Sequence, residues 1–179
     1  MSRKNTKRSN KKNYDNVVTL EPYIEKKKQV NLIPRNLNQE IYVQSLLNEQ
    51  HTMVFATGPA GTGKTMLAVL AAVRALRNRD IERIVITRPA VGVDDEKHGF
   101  LPGDLNSKME SWTRPIFDVI QEYYSPKHIK TMIDEMVIEI SPLAYMRGRT
   151  FKNSFIIADE MQNSTPNQMK MLLTRIGDD

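Results

Sequence analysis

The chain of 179 residues is 40% hydrophobic and 26% charged, which fits one domain with a buried core. It has no cysteine, so disulfide frameworks, cysteine zinc sites and thiol nucleophiles are excluded, and a reducing, cytoplasmic compartment is expected. The formal charge of +5 suggests an anionic partner only until it is divided: residues 1–35 hold ten Lys or Arg against three acids, leaving sixteen against eighteen in 36–179.

The basic character therefore belongs to the N-terminal stretch. Arg3, Lys4, Lys7, Arg8, Lys11 and Lys12 stand among Ser and Asn with too little apolar surface to offset ordering entropy. Residues 1–30 are expected to form a basic disordered tail, either simply solvated or able to hold RNA or single-stranded DNA phosphates by counterion release. No secretory apolar segment is expected in it. The longest uninterrupted apolar run, 66–73, has eight residues, far below the roughly 20 that a membrane-spanning helix needs.

From residue 31 onward short apolar runs alternate with helical patterns, so 31–179 is expected to be one α/β domain with a mostly parallel sheet flanked by helices. A helix is predicted over 38–48 and a buried strand over 52–56. Gly-rich sequence then leads into an Ala- and Leu-rich helix over 64–78. A strand at 83–87 ends before Pro89, and 91–106, with Gly92, Gly99, Pro102 and Gly103, reads as a long functional loop. Helices at 106–123 and 126–134, strands at 136–140 and 154–158 and a helix at 166–176 follow. Thr165 with Gln168 makes a capping box, and Pro166 stands at the first helical position.

Gly58-Pro59-Ala60-Gly61-Thr62-Gly63-Lys64-Thr65 satisfies the phosphate-loop pattern G-x-x-x-x-G-K-[ST] in full. A strand before it and a helix after it would make backbone N–H groups and a positive helix end converge on one anion. Lys64 is expected to bridge the β- and γ-phosphates of ATP and Thr65 to ligate Mg²⁺. Phe155-Ile156-Ile157-Ala158-Asp159-Glu160 delivers two carboxylates at a strand end, where open α/β sheets bind ligands. Asp159 is expected to hold Mg²⁺ and Glu160 to polarise a water for attack on the γ-phosphate. An acidic pair that merely complements a helix dipole is the plainer alternative. His51, His98 and His128 show no metal-ligand spacing. Trp112 and Phe117 fit helical packing better than base stacking.

Further strings accompany these motifs. They are Asn38-Gln39-Glu40, Thr87-Arg88-Pro89-Ala90, Gly99-Phe100-Leu101-Pro102-Gly103-Asp104, Pro142-Leu143-Ala144-Tyr145-Met146-Arg147-Gly148-Arg149 and Asp159-Glu160-Met161-Gln162-Asn163. Together they closely resemble PhoH-like proteins over about residues 35–179, as a short member of phage type. These are ATPases of bacteria and their phages whose core is similar to the motor domain of superfamily-one helicases. The resemblance implies a P-loop NTPase, RecA-like fold, contact of Gln39 with adenine and sensing of the γ-phosphate by Gln162. It also implies nucleic acid near residues 87–90 and a ring of identical subunits. Plainer alternatives are Gln39 in a first helical turn and Gln162 in a loop hydrogen bond; Arg147 and Arg149, which could reach phosphate or nucleic acid in a neighbouring subunit's site, read more plainly as a surface turn.

Family members continue beyond Leu172-Leu173-Thr174-Arg175-Ile176-Gly177 into a strand lying between the phosphate-loop strand and the Asp-Glu strand, with a polar residue that helps place the attacking water. Relative to that pattern the domain reads as C-terminally incomplete. The two strands are then expected to lie roughly 10 Å apart, twice the usual spacing. The leading reading is a Mg²⁺-dependent ATPase coupled to RNA or single-stranded DNA. A non-hydrolytic nucleotide- or nucleic-acid-binding module stays open as the second reading. A small-molecule kinase is disfavoured by Glu160 and Gln162, since a phosphoryl acceptor site needs no water-activating pair.

Overall fold

A computed structural model describes residues 28–89 and 105–177, the side chains of 105–111 excepted. The basic residues 1–27 lie outside the described residues, as do 90–104 with Ala90 and the Gly99 to Asp104 string. The elements are α1 (Leu37–Leu47), α2 (Lys64–Asn78), β1 (Arg83–Thr87), α3 (Leu105–Gln121), α4 (Pro126–Asp134), β2 (Ile138–Ile140), β3 (Ser154–Ala158) and α5 (Pro166–Leu173), with short 3-10 turns at Leu143–Met146 and Met161–Asn163. No described helix is long and apolar enough to cross a membrane.

The strands form a parallel sheet in the order β2-β1-β3, with Ile84 opposite Ile138 and Phe155. Parallel strands need helical crossovers, which cover both faces. Side-chain alternation assigns the faces. Ile84, Ile86 and Ile157 pack with Leu67, Val69 and Val73 of α2 and Ile116 and Ile120 of α3. Val85 turns the other way, onto Leu143, Met146, Phe151 and Leu172. Residues 67 to 73 of α2 are all buried, so this helix is the spine of the larger core. Trp112 and Phe117 pack against that core, in line with a packing role.

The helix and strand bounds expected for α2, β1, α4 and β3 are those observed. Predicted strand 136–140 begins only at Ile138, because Met136 takes a left-handed φ of 60° as the chain leaves α4. Predicted helix 166–176 stops at Leu173, where Thr174 caps it and residues 175–177 turn to meet Phe151 in an isolated parallel bridge. Phe151 N–H donates to Arg175 C=O at 2.8 Å, and Gly177 N–H donates to Phe151 C=O at 2.9 Å.

The buried strand expected at 52–56 is not formed. The segment belongs to no sheet, and Met53 and Phe55 are 49% and 68% exposed. A strand needs a partner ladder, and among the described residues none lies beside it. On β3, Asn153 C=O accepts from Glu82 N–H and Asp159 N–H donates to Thr87 C=O. By the period of two, the peptide groups of Ser154, Ile156 and Ala158 point away from β1. No described strand covers that edge, so 52–56 and β3 are not paired with each other.

A buried ion pair stiffens the second face. Glu139 on β2 stands opposite Val85 and is 6% exposed in its side chain. Arg149 grips it with both guanidinium nitrogens, one at 2.9 Å, and lies 4.6 Å from the Phe151 ring centre. The hydrogen bond to the Glu139 carboxylate, and then its negative charge, hold the Arg149 charge more firmly than usual, outweighing the lost solvation that works against it. Arg147, two residues earlier, is exposed. Replacing Arg149 by Met leaves the Glu139 carboxylate, among the described residues, with Arg83 at 3.9 Å. Because Arg149 is one-third exposed, the expected loss is about 2 kcal/mol rather than the full cost of a broken buried pair. Urea unfolding of the variant, beside Arg147→Ala with a change within about 0.5 kcal/mol, checks this.

Candidate functional site

The glycine-rich segment joins the irregular 52–57 stretch to the first turn of α2. Gly61 and Gly63 adopt φ of 75° and 81°, left-handed values that cost a side-chain-bearing residue about 1 kcal/mol or more. These two turns wrap Gly58, Pro59, Ala60 and Thr62 around the helix N-terminus. The N-cap is Gly63, with no side chain to cap it. The first N–H groups of α2 are therefore free of intrahelical and capping partners and carry the positive end of the dipole. Lys64 Nζ lies over the same loop, donating to Gly58 C=O at 2.8 Å and Pro59 C=O at 2.7 Å. Thr62 Oγ1 donates to Pro59 C=O at 2.9 Å, which tightens the turn.

β3 brings the acidic pair to this place. Asp159 N–H is fixed by Thr87 C=O at 2.9 Å, at the C-terminal end of β1. Thr65 Oγ1 donates to Asp159 Oδ1 at 2.9 Å across 94 positions of sequence. A hydroxyl and a carboxylate oxygen thus converge beside the helix N-terminus. That hard-oxygen pair fits Mg²⁺, which takes one or two protein oxygens and completes its shell with phosphate and water. No cluster of three or more His, Asp or Glu exists among the described residues.

Glu160 has φ of 52°. Its carboxylate accepts a hydrogen bond from Gln162 Nε2 in the following 3-10 turn. A non-glycine residue in this region stores about 1–2 kcal/mol, here at the residue that lies just past β3 and opens the next turn. Thr87 is fully buried, and its hydroxyl has no hydrogen-bond partner among the described residues. Arg88 is the accessible residue of that segment, its C=O accepting from Leu143 N–H at 3.3 Å.

α1 closes the other side of the loop. Asn36 caps it by accepting from Gln39 N–H. The Gln39 amide is engaged at both ends: Oε1 accepts from Arg35 N–H at 2.7 Å and Nε2 donates to Thr62 C=O at 3.0 Å. Tyr42 OH donates to Lys64 C=O at 3.3 Å. Burial, and then the negative charge of Asp159, push the Tyr42 hydroxyl up to about 12. No motif singles out Tyr42; its one signal in sequence is the three-residue spacing from Gln39, which puts both on one helix face.

The structure thus gathers Gly58 to Thr65, Asp159, Gln39 and Tyr42 around one helix end. The family model described as PhoH-like protein matches residues 31–179. The chain is 48% identical over 143 residues to the PhoH-like protein of Synechocystis, covering 80% of this chain and 43% of that protein. It is likewise 48% identical to the PhoH-like protein of Bacillus subtilis, covering 80% and 44%. Protein PhoH of Escherichia coli K12 is 41% identical over 149 residues, 82% of this chain and 41% of that protein. The chain therefore spans under half the length of the relatives it matches. The three parallel strands among the described residues, flanked by helices, are an α/β layout consistent with a P-loop NTPase fold, and the chain belongs to the PhoH family.

Proposed function

We propose that the chain binds ATP with Mg²⁺ at the N-terminus of α2 and hydrolyses it, in the cytoplasm, in work coupled to RNA or single-stranded DNA. The observation that carries this is the Thr65 to Asp159 hydrogen bond. It joins a phosphate loop to an acidic strand end, the two parts that a magnesium nucleotide needs together. The loop N–H groups and Lys64 would hold the phosphates, a charged phosphate oxygen being a better acceptor than the Gly58 and Pro59 carbonyls. Thr65 and Asp159 would hold Mg²⁺, which when bound neutralises charge on the phosphate oxygens. Glu160 would orient and deprotonate the attacking water. Gln162, already on the Glu160 carboxylate, would report the γ-phosphate to it. Nucleic acid would approach along Arg88 and the basic residues of 1–30, and a ring of identical chains would let one site follow another.

Steady-state phosphate release from ATP tests the reading. Release that requires Mg²⁺ and rises with single-stranded RNA or DNA is expected. Release insensitive to both would oppose it. The second reading is a non-hydrolytic nucleotide-binding module. Tight Mg²⁺-dependent ATP binding with no release would select that reading.

A further inference from the structure

We propose that Gln39 and Tyr42 are positioning residues, a clamp from α1 that sets the direction of the anion-binding N–H groups of the phosphate loop. The inference rests on the nucleotide reading above and adds to it two residues and a base-independent role.

The argument starts from the peptide unit. No described peptide is cis. In a trans peptide the C=O of one residue and the N–H of the next point in opposite directions. Gln39 Nε2 pulls the Thr62 carbonyl toward α1, so the Gly63 N–H must point to the other side of the loop. Tyr42 OH takes the Lys64 carbonyl, and the Thr65 N–H is oriented the same way. Gly63 has a left-handed φ and its own C=O accepts from Leu67 N–H at 2.9 Å, so the peptide that Gln39 fixes is the one before it, Thr62 to Gly63. A Cβ there would stand 3.4 Å from Gln39 Nε2, so the side chain lies directly against the turn it holds.

The clamp is itself held. Gln39 Oε1 takes Arg35 N–H, and Asn36 caps the helix on Gln39 N–H. With each end of its amide bonded to the protein, Gln39 is placed to act on the phosphates through the loop backbone. The Tyr42 ring packs against the larger core, so its hydroxyl reaches Lys64 from a fixed position.

The test compares ATP, GTP and inorganic tripolyphosphate, each with Mg²⁺, by equilibrium titration of the 179-residue chain and its Tyr42→Phe, Gln39→Ala and double variants. Thermal midpoints are measured alongside. Each single variant is expected to lose about three- to tenfold in affinity, one hydrogen bond's worth, and equally for all three ligands. The melting midpoint of Tyr42→Phe is expected to stay within about 3 °C of wild type. Loss confined to ATP, with tripolyphosphate unchanged, would overturn the clamp and make Gln39 a reader of adenine. Unchanged affinity for all three in both variants would also overturn it, while leaving the phosphate loop in place. Failure of the unaltered chain to bind any of the three would overturn the nucleotide reading itself, and the clamp with it.

Discussion

Replacing Lys64 with alanine is expected to weaken Mg²⁺-ATP binding by about 30-fold or more, the value of a charge-assisted hydrogen bond to phosphate, and to bring phosphate release to background. Lys64 is the first residue of α2, and its ammonium already lies against the loop that wraps the helix end. The loss should appear in affinity and not in folding. Its present acceptors are carbonyls of exposed residues, Gly58 and Pro59, which water can satisfy. A melting midpoint within about 3 °C of wild type, with binding lost, is the expected pair of results. Loss of both would mean that Lys64 holds the loop together instead of a ligand.

Glu160→Gln is expected to separate binding from turnover. The amide keeps the size of the carboxylate and its place at the end of β3 but cannot take a proton from water. The kcat should fall by about 10²–10³-fold, with the affinity for Mg²⁺-ATP within about twofold of wild type. The contrast with Lys64 follows from position. Lys64 lies on the loop that would hold phosphates, whereas Glu160 stands one residue beyond Asp159 with a left-handed backbone. The strain also gives a second signature: Glu160→Gly, free at that φ, should remain as stable as wild type to within about 1 kcal/mol while losing turnover. A kcat within about threefold of wild type in Glu160→Gln would assign the water to another group.

Several elements were legible because their determinants are local. α2 follows from a run of helix formers after a glycine loop, and α5 starts where Thr165, Pro166 and Gln168 spell a capping box that the structure contains in full. β1 and β3 are short apolar runs bounded by polar or turn residues, and central pairing turned those runs into a sheet. The 52–56 segment has the same composition without the same outcome. Its apolar residues make a strand only beside another strand, and pairing is a long-range fact that a local run does not carry. α5 ends early for a related reason: residues 175–177 are taken by Phe151, about 25 positions away.

The site divides in the same manner. The phosphate loop and the Asp159-Glu160 pair are contiguous strings whose spacing is the chemistry. Arg149 next to Arg147 reads as half of a surface turn, yet one arginine is exposed and the other is spent on Glu139 in another strand. Gln39 could be noticed from its string, but its engagement with Thr62, and the companion role of Tyr42, depend on α1 lying against a loop 23 positions away.

The most direct measurement is an equilibrium titration of the 179-residue chain with a non-hydrolysable ATP analogue, in Mg²⁺ and again in EDTA, beside Lys64→Ala and Asp159→Asn. A Kd on the order of 10 µM in Mg²⁺, weakened by EDTA and by Asp159→Asn and lost in Lys64→Ala, is expected of one magnesium-nucleotide site built by α2 and β3. Binding indifferent to Mg²⁺ and to both substitutions, or no binding by a chain that is folded, would contradict it.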